Sequence, residues 1–214
     1  MSPLQTKIKI CGIKCPDVAN ESVKWGADYI GLVFHKDSKR NIDLNIAKAV
    51  SAAVICAGAM PVAVFVNQSA DEMMTICNDL NINIVQLHGS TARNNHTELP
   101  DNITRIYVLN IGDDGQLIKK FDSSFEHLKP ERDFLLFDGP CGGSGEKIIT
   151  NRLNEIAGEF DFFIAGGLSE INVEKVISNC QPFAVDVSSG VENTSGNKDV
   201  CMVKKFISRI RDRS

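Results

Sequence analysis

The stretch KIKICGIK, Lys7–Lys14, alternates polar and apolar side chains until it meets a cysteine and a glycine. A period of two marks a β-strand, because successive side chains leave opposite faces. Lys9 and Cys11 therefore share one face, and Ile8 and Ile10 share the other. Cys11 falls where such a strand meets solvent. Two readings of it stay open: a small buried hydrophobe, or a nucleophile or base at the mouth of a site.

Seven further short apolar runs read as strands: DYIGLVF, PVAVFV, INIVQL, ITRIYVL, FLLFD, DFFIAG and FAVDV. Helical patterns lie between most of them, in PDVANESVKWG, LNIAKAVSAAVICAG, SADEMMTICNDL, EINVEKVISN and the closing KDVCMVKKFISRI. Pro16 and Asp17 stand where the first helix starts and Gly26 where it stops. Weaker helices are expected after YVLN and after GGSGEK, by position rather than by pattern. No Pro-, Gly- or Ser-rich linker divides the 214 residues. Eight strand–helix units in this length predict one (β/α)8 TIM barrel, a single α/β domain over residues 1–214, rather than an open doubly wound sheet.

The split seen in KIKIC recurs along the chain. Ile84, Gln86 and His88 oppose Val85 and Leu87; Leu136 and Asp138 oppose Leu135 and Phe137; Asp186 and Ser188 oppose Val185 and Val187. In a barrel the purely apolar parity packs against the helices, so the polar parity points inward and ends at the C-terminal mouth. Cys11, His88, Asp138 and Ser188 are thus expected to converge there. Two glycine-rich stretches, IAGGLS closing the run DFFIAG and DVSSGVE closing the run FAVDV, lie where such barrels hold a phosphate, and free backbone N–H groups beside glycines suit an anion. The bland alternative for each is a tight turn, as it is for Asp138 followed by Gly139.

Composition narrows the function further. A net charge of −4 argues against nucleic-acid binding, which needs clustered Lys and Arg. Seven cysteines with no CxxC pair, beside four histidines, fit reduced thiols better than a disulfide framework or a zinc site. Neither a signal-like N-terminus nor a membrane-length apolar run is present, so a cytoplasmic protein is expected.

Together, KICGI, GADYIGLVF with SKR, VAVFVN, VQLHG, LLFD followed by GGSG, AGGL, and FAVDVSSGVE followed by G-x-KD resemble phosphoribosylanthranilate isomerase, from Lys7 to Asp199. The resemblance implies a TIM barrel of tryptophan biosynthesis without cofactor or metal, acting on a small-molecule substrate as a monomer or weak homodimer. It implies an Amadori rearrangement of N-(5-phosphoribosyl)anthranilate, with Cys11 as general base and Asp138 as general acid. Arg40 then matches the position that holds the anthranilate carboxylate, Gln86 and His88 match pocket positions, and Asp186 resembles a residue that meets the sugar hydroxyls. Gly166, Gly167, Ser188, Ser189 and Gly190 resemble the phosphate loops.

A cysteine base requires a nearby positive charge, for which Lys9 is the candidate on the same strand face. The chain departs from the family pattern in its short segment Gly139–Cys141, in Glu146–Ile149 after the GGSG run, and in Asn41. Other readings are a catalytically silent sugar-phosphate-binding barrel serving as sensor or partner, a histidine-pathway sugar-phosphate isomerase, and a thiol redox enzyme pairing Cys11 with Cys15.

Overall fold

The computed structural model describes residues 5–119, 123–139 and 146–212, with backbone alone at 146–151. Eight parallel strands close into a barrel in the order β1-β2-β3-β4-β5-β6-β7-β8. They are β1 Lys7–Cys11, β2 Tyr29–Phe34, β3 Met60–Phe65, β4 Ile84–Leu87, β5 Thr104–Asn110, β6 Phe134–Asp138, β7 Phe162–Ala165 and β8 Ala184–Val187. Each run expected to be a strand is one. Closure falls between β8 and β1, where Lys9 pairs in register with Asp186.

The α-helices are α1 Pro16–Lys24, α2 Leu44–Cys56, α3 Ala70–Leu80, α4 Ser90–Asn95, α5 Glu146–Ala157, α6 Val173–Cys180 and α7 Val200–Arg211. Local chemistry sets their ends. Pro16 opens α1 at its first turn, and Gly26 follows its end at φ +111°. Ser69 and Glu72 form a reciprocal capping box on α3, and the Asp199 side chain accepts from the Met202 N–H at the start of α7.

Two connections differ from expectation. After β5 the described residues hold a 3-10 turn, Ser123–His127, in place of a helix. The Ser124 carbonyl bonds His96 and its hydroxyl bonds Tyr107, so tertiary partners fix this segment. By contrast, α4 was not expected, since STARNN carries almost no apolar periodicity; only Ala92 in it is buried.

Strand parity sorts the core into two layers. Ile8, Ile10, Val85, Leu87, Leu135, Phe137, Val185 and Val187 pack outward against the helices. Inside the barrel lie Tyr29, Val62, Ile84, Ile106, Val108, Leu136 and Phe163. At the N-terminal end, Tyr29 meets Phe163 edge-on at 5.5 Å and Phe134 stacks on Phe183 at 4.9 Å. Aromatic rings thus plug that end, and a cavity is left at the C-terminal mouth. Among the described residues no helix is long and apolar enough to cross a membrane.

Candidate active site

A cavity of about 340 Å³ opens at the C-terminal ends of the strands. Cys11, Arg40, Gln86, His88, Asp138 and Asp186 line it, as do Gly166, Gly167, Ser188 and Ser189. Gly190, the remaining residue expected at the site, stands just behind this lining. A side chain on Gly190 would collide with the Leu168 carbonyl, so the β7 and β8 loops touch through it. Gly166 is under a double constraint: its φ is +96°, and a Cβ there would run into the Gly139 carbonyl. The GGSG run and the short segment preceding it from Pro140 lie outside the described residues.

The lowest polar layer is a buried ion pair. Lys9 Nζ donates to Asp186 Oδ2 at 2.8 Å, with side chains 0% and 6% exposed. The pairing follows from register, because the two residues are opposite each other on β1 and β8 and both face inward. Burial works against the Lys9 charge, yet Asp186 and Cys11 hold its pKa above the ordinary value. Asp186 lines the cavity, and its buried Oδ1 has no hydrogen-bond partner among the described residues.

Cys11 stands one layer above, buried, with its thiol within reach of Lys9. Burial pushes the thiol up, while the Lys9 cation pulls it back toward the thiolate. Gly31 on β2 makes room for both groups. A Cβ at Gly31 would lie 2.8 Å from Cys11 Sγ and 3.2 Å from Lys9 Nζ. Above this the Ser188 hydroxyl donates to the Cys11 carbonyl at 3.1 Å, which ties the end of β8 to the end of β1.

The facing side is looser. His88 Nε2 lies 3.8 Å from Asp138 Oδ2, beyond a hydrogen bond, with side chains 42% and 31% exposed. Desolvation of its ring lowers the His88 pKa, against the pull of Asp138. Gln86 Oε1 is buried and has no partner among the described residues. Such an acceptor costs about 1–3 kcal/mol unless a ligand satisfies it.

The Arg40 guanidinium, expected to face a ligand carboxylate, already grips one in the protein. Its Nε and Nη2 donate to Glu192 at 2.6 and 3.1 Å. Sequence reasoning gave Glu192 and Lys198 no role, although both sit in the stretches that carry the family resemblance. At the phosphate end the backbone N–H groups of Gly167, Ser189 and Gly190 donate to no acceptor among the described residues. The Ser188 hydroxyl, in contrast, is committed to the Cys11 carbonyl.

A closed parallel barrel with a thiol, a carboxyl and open N–H groups converging at its C-terminal mouth defines a TIM-barrel enzyme with its site at the rim. Residues 8–209 match the family described as N-(5'phosphoribosyl)anthranilate (PRA) isomerase, so the chain belongs to that family. It is an intramolecular aldose–ketose isomerase of tryptophan biosynthesis.

The N-(5'-phosphoribosyl)anthranilate isomerase of Streptococcus pneumoniae serotype 19F (strain G54) is 38% identical over 206 residues, covering 96% of each chain. That of Streptococcus mutans serotype c is 36% identical, covering 96% of this chain and 99% of the relative. The crystal structure of the Thermotoga maritima enzyme superposes with a TM-score of 0.78 at 30% identity, over 97% of this chain and 99% of that one. A phosphoribosyl anthranilate isomerase in complex with reduced 1-(o-carboxyphenylamino)-1-deoxyribulose 5-phosphate gives a TM-score of 0.77 at 29% identity over the same shares.

Proposed function

We propose that the chain converts N-(5-phosphoribosyl)anthranilate to 1-(2-carboxyphenylamino)-1-deoxyribulose 5-phosphate, with Asp138 as general acid and Cys11 as general base. The observation that carries this reading is the convergence of these two side chains on one cavity whose far rim offers unpaired backbone N–H groups. Family membership and the product-like ligand of the similar crystal structure support the same choice.

The chemistry needs the acid first. Asp138 donates its proton to the ribose ring oxygen, the ring C–O bond breaks, and the anthranilate nitrogen supplies the electrons that form an iminium at C1. That cation acidifies the hydrogen on C2. Cys11, as thiolate, takes this proton and the C–H electrons form the C1–C2 double bond of an enolamine. Tautomerisation, with a proton delivered at C1, gives the C2 ketone.

Lys9 serves the base, because a cation beside the sulfur favours its anionic form. Gln86 Oε1 and Asp186 Oδ1 are acceptors without partners, suited to the sugar hydroxyls. His88, beside Asp138, completes the pocket on that side. The phosphate sits on the backbone at Gly166, Gly167, Ser188, Ser189 and Gly190, where N–H groups rather than Lys or Arg side chains hold it. Arg40 takes the anthranilate carboxylate with the edge of its guanidinium that Glu192 leaves open.

The test is loss of anthranilate fluorescence as the purified protein acts on freshly generated phosphoribosylanthranilate. Turnover supports the assignment. Its absence in folded protein that still binds the product would overturn it in favour of a silent sugar-phosphate barrel.

A further inference from the structure

Behind the pocket wall, one carboxylate gathers three cations. The Glu192 side chain is only 4% exposed; it accepts from Arg40 and from Lys198 Nζ at 2.8 Å and forms an ion pair with Lys39 Nζ at 3.1 Å. Burial opposes its charge, but hydrogen bonds from Arg40 and Lys198 bring the carboxyl down to about 2. Lys198, also 4% exposed, spends its other donors on Ser188, at 2.9 Å to the carbonyl and 3.1 Å to the hydroxyl. Ser188 in turn bonds the Cys11 carbonyl. Glu192 and Lys198 are themselves locked together by an antiparallel backbone bridge.

Arg40 is pinned from a second side. Gly12, directly after Cys11, has φ +82°, and a Cβ there would fall 2.7 Å from Arg40 Cδ. The stem of Arg40 thus lies flat on the β1 loop while its fork is held by Glu192. A continuous chain of short contacts runs from Arg40 through Glu192, Lys198 and Ser188 to the backbone of Cys11. None of these links touches the cavity through Glu192 itself, which is absent from its lining.

We propose that Glu192 and Lys198 are positioning residues, which fix the Arg40 guanidinium and the end of β8 in one register relative to Cys11. This inference rests on the reading of Arg40 as the carboxylate-binding group. A substrate with an anionic group at each end, one on Arg40 and one on the β7–β8 loops, is then stretched so that its sugar carbon meets the sulfur. Bound geometry of this kind contributes to rate and affinity only if the two anchors keep their spacing.

The experiment is steady-state kinetics on phosphoribosylanthranilate with Glu192→Gln, Arg40→Ala and the double variant, all in the full chain. Glu192→Gln is expected to raise KM about tenfold, the worth of one charge-assisted contact, with kcat within about threefold of the parent. The double variant is expected to be no worse than Arg40→Ala alone, because both substitutions disable the same anchor.

An unchanged KM, effects that multiply in the double variant, or a KM that falls because Glu192 merely competes with substrate for Arg40 would each overturn the proposal. Arg40→Ala separates the two layers of inference. If it leaves KM unaltered, the reading of Arg40 fails and this one with it. If it raises KM while Glu192→Gln is silent, only the positioning role fails. Should Glu192→Gln not fold, Glu192→Asp keeps the buried charge at a shorter reach; a KM about threefold above the parent is then expected, and a parental KM overturns the proposal.

Discussion

On the β8–β1 side of the cavity the side chains of Lys9, Asp186, Ser188, Lys198 and Glu192 are bonded to one another, with Asp186 Oδ1 the exception, whereas on the β4–β6 side His88, Asp138 and Gln86 hold bonding capacity in reserve. Lys9 is paired to Asp186 at 2.8 Å, Ser188 to the Cys11 carbonyl at 3.1 Å, and Lys198 to Glu192 at 2.8 Å. Across the mouth His88 and Asp138 stand 3.8 Å apart, and Gln86 Oε1 has no partner among the described residues. The difference follows from what each side must do in the proposed reaction. A base buried beside a cation needs its electrostatics fixed in advance, since any reorientation during proton abstraction adds to the barrier. An acid and its neighbours need free positions for the ring oxygen and hydroxyls that a sugar brings.

The comparison breaks most visibly if the fixed side is displaced. Gly31→Ala sets a methyl 2.8 Å from Cys11 Sγ and 3.2 Å from Lys9 Nζ. Relief must come from the Cys11 thiol, its backbone or the Lys9 ammonium, and a shift on the order of 1 Å at a reacting group costs about a hundredfold. Activity assays should show a kcat loss of that size, with substrate affinity much less affected.

A milder perturbation removes the charge and keeps the packing. Lys9 pulls the Cys11 pKa downward, so its loss must raise the thiol further. For Lys9→Met the rising limb of kcat/KM against pH is expected to move to higher pH, as is the pH dependence of Cys11 alkylation. An unmoved limb would remove Lys9 from the account.

The smallest effect sharpens the contrast from the open side. Gln86 is 3% exposed with an unsatisfied carbonyl, so Gln86→Leu relieves a desolvation cost. Denaturant unfolding should show stability unchanged or improved by about 1 kcal/mol, while KM rises. The same exchange of polar for apolar at Lys9 strands the Asp186 carboxylate and is expected to destabilise, because breaking a buried pair leaves a charge alone.

Much of this was legible in the sequence because the barrel rests on a strict period of two. Lys9 and Cys11 on one face, with Ile8 and Ile10 on the other, gave the inward direction of β1. The same parity correctly placed Gln86, Asp138 and Asp186 in the cavity. The pairing of Lys9 with Asp186 was half legible: parity turned both inward, but the register that puts them level belongs to the closed sheet.

The Arg40–Glu192 contact spans 152 residues between two loops, where no periodicity applies, so its discovery required coordinates. Loop geometry also explains the misread connections. The 3-10 turn after β5 is set by Tyr107 and His96, far from it in sequence, and α4 is too short for an apolar stripe.

The division of labour between the two sides rests on one acid and one base, and a single kinetic comparison tests it. Cys11→Ser and Asp138→Asn would be assayed side by side for loss of anthranilate fluorescence, with binding of the product measured on the same preparations. The account predicts that each lowers kcat by orders of magnitude while product affinity stays near that of the parent, because each acts in a bond-breaking step. A kcat within a few-fold of the parent for either variant would contradict the role given to that residue.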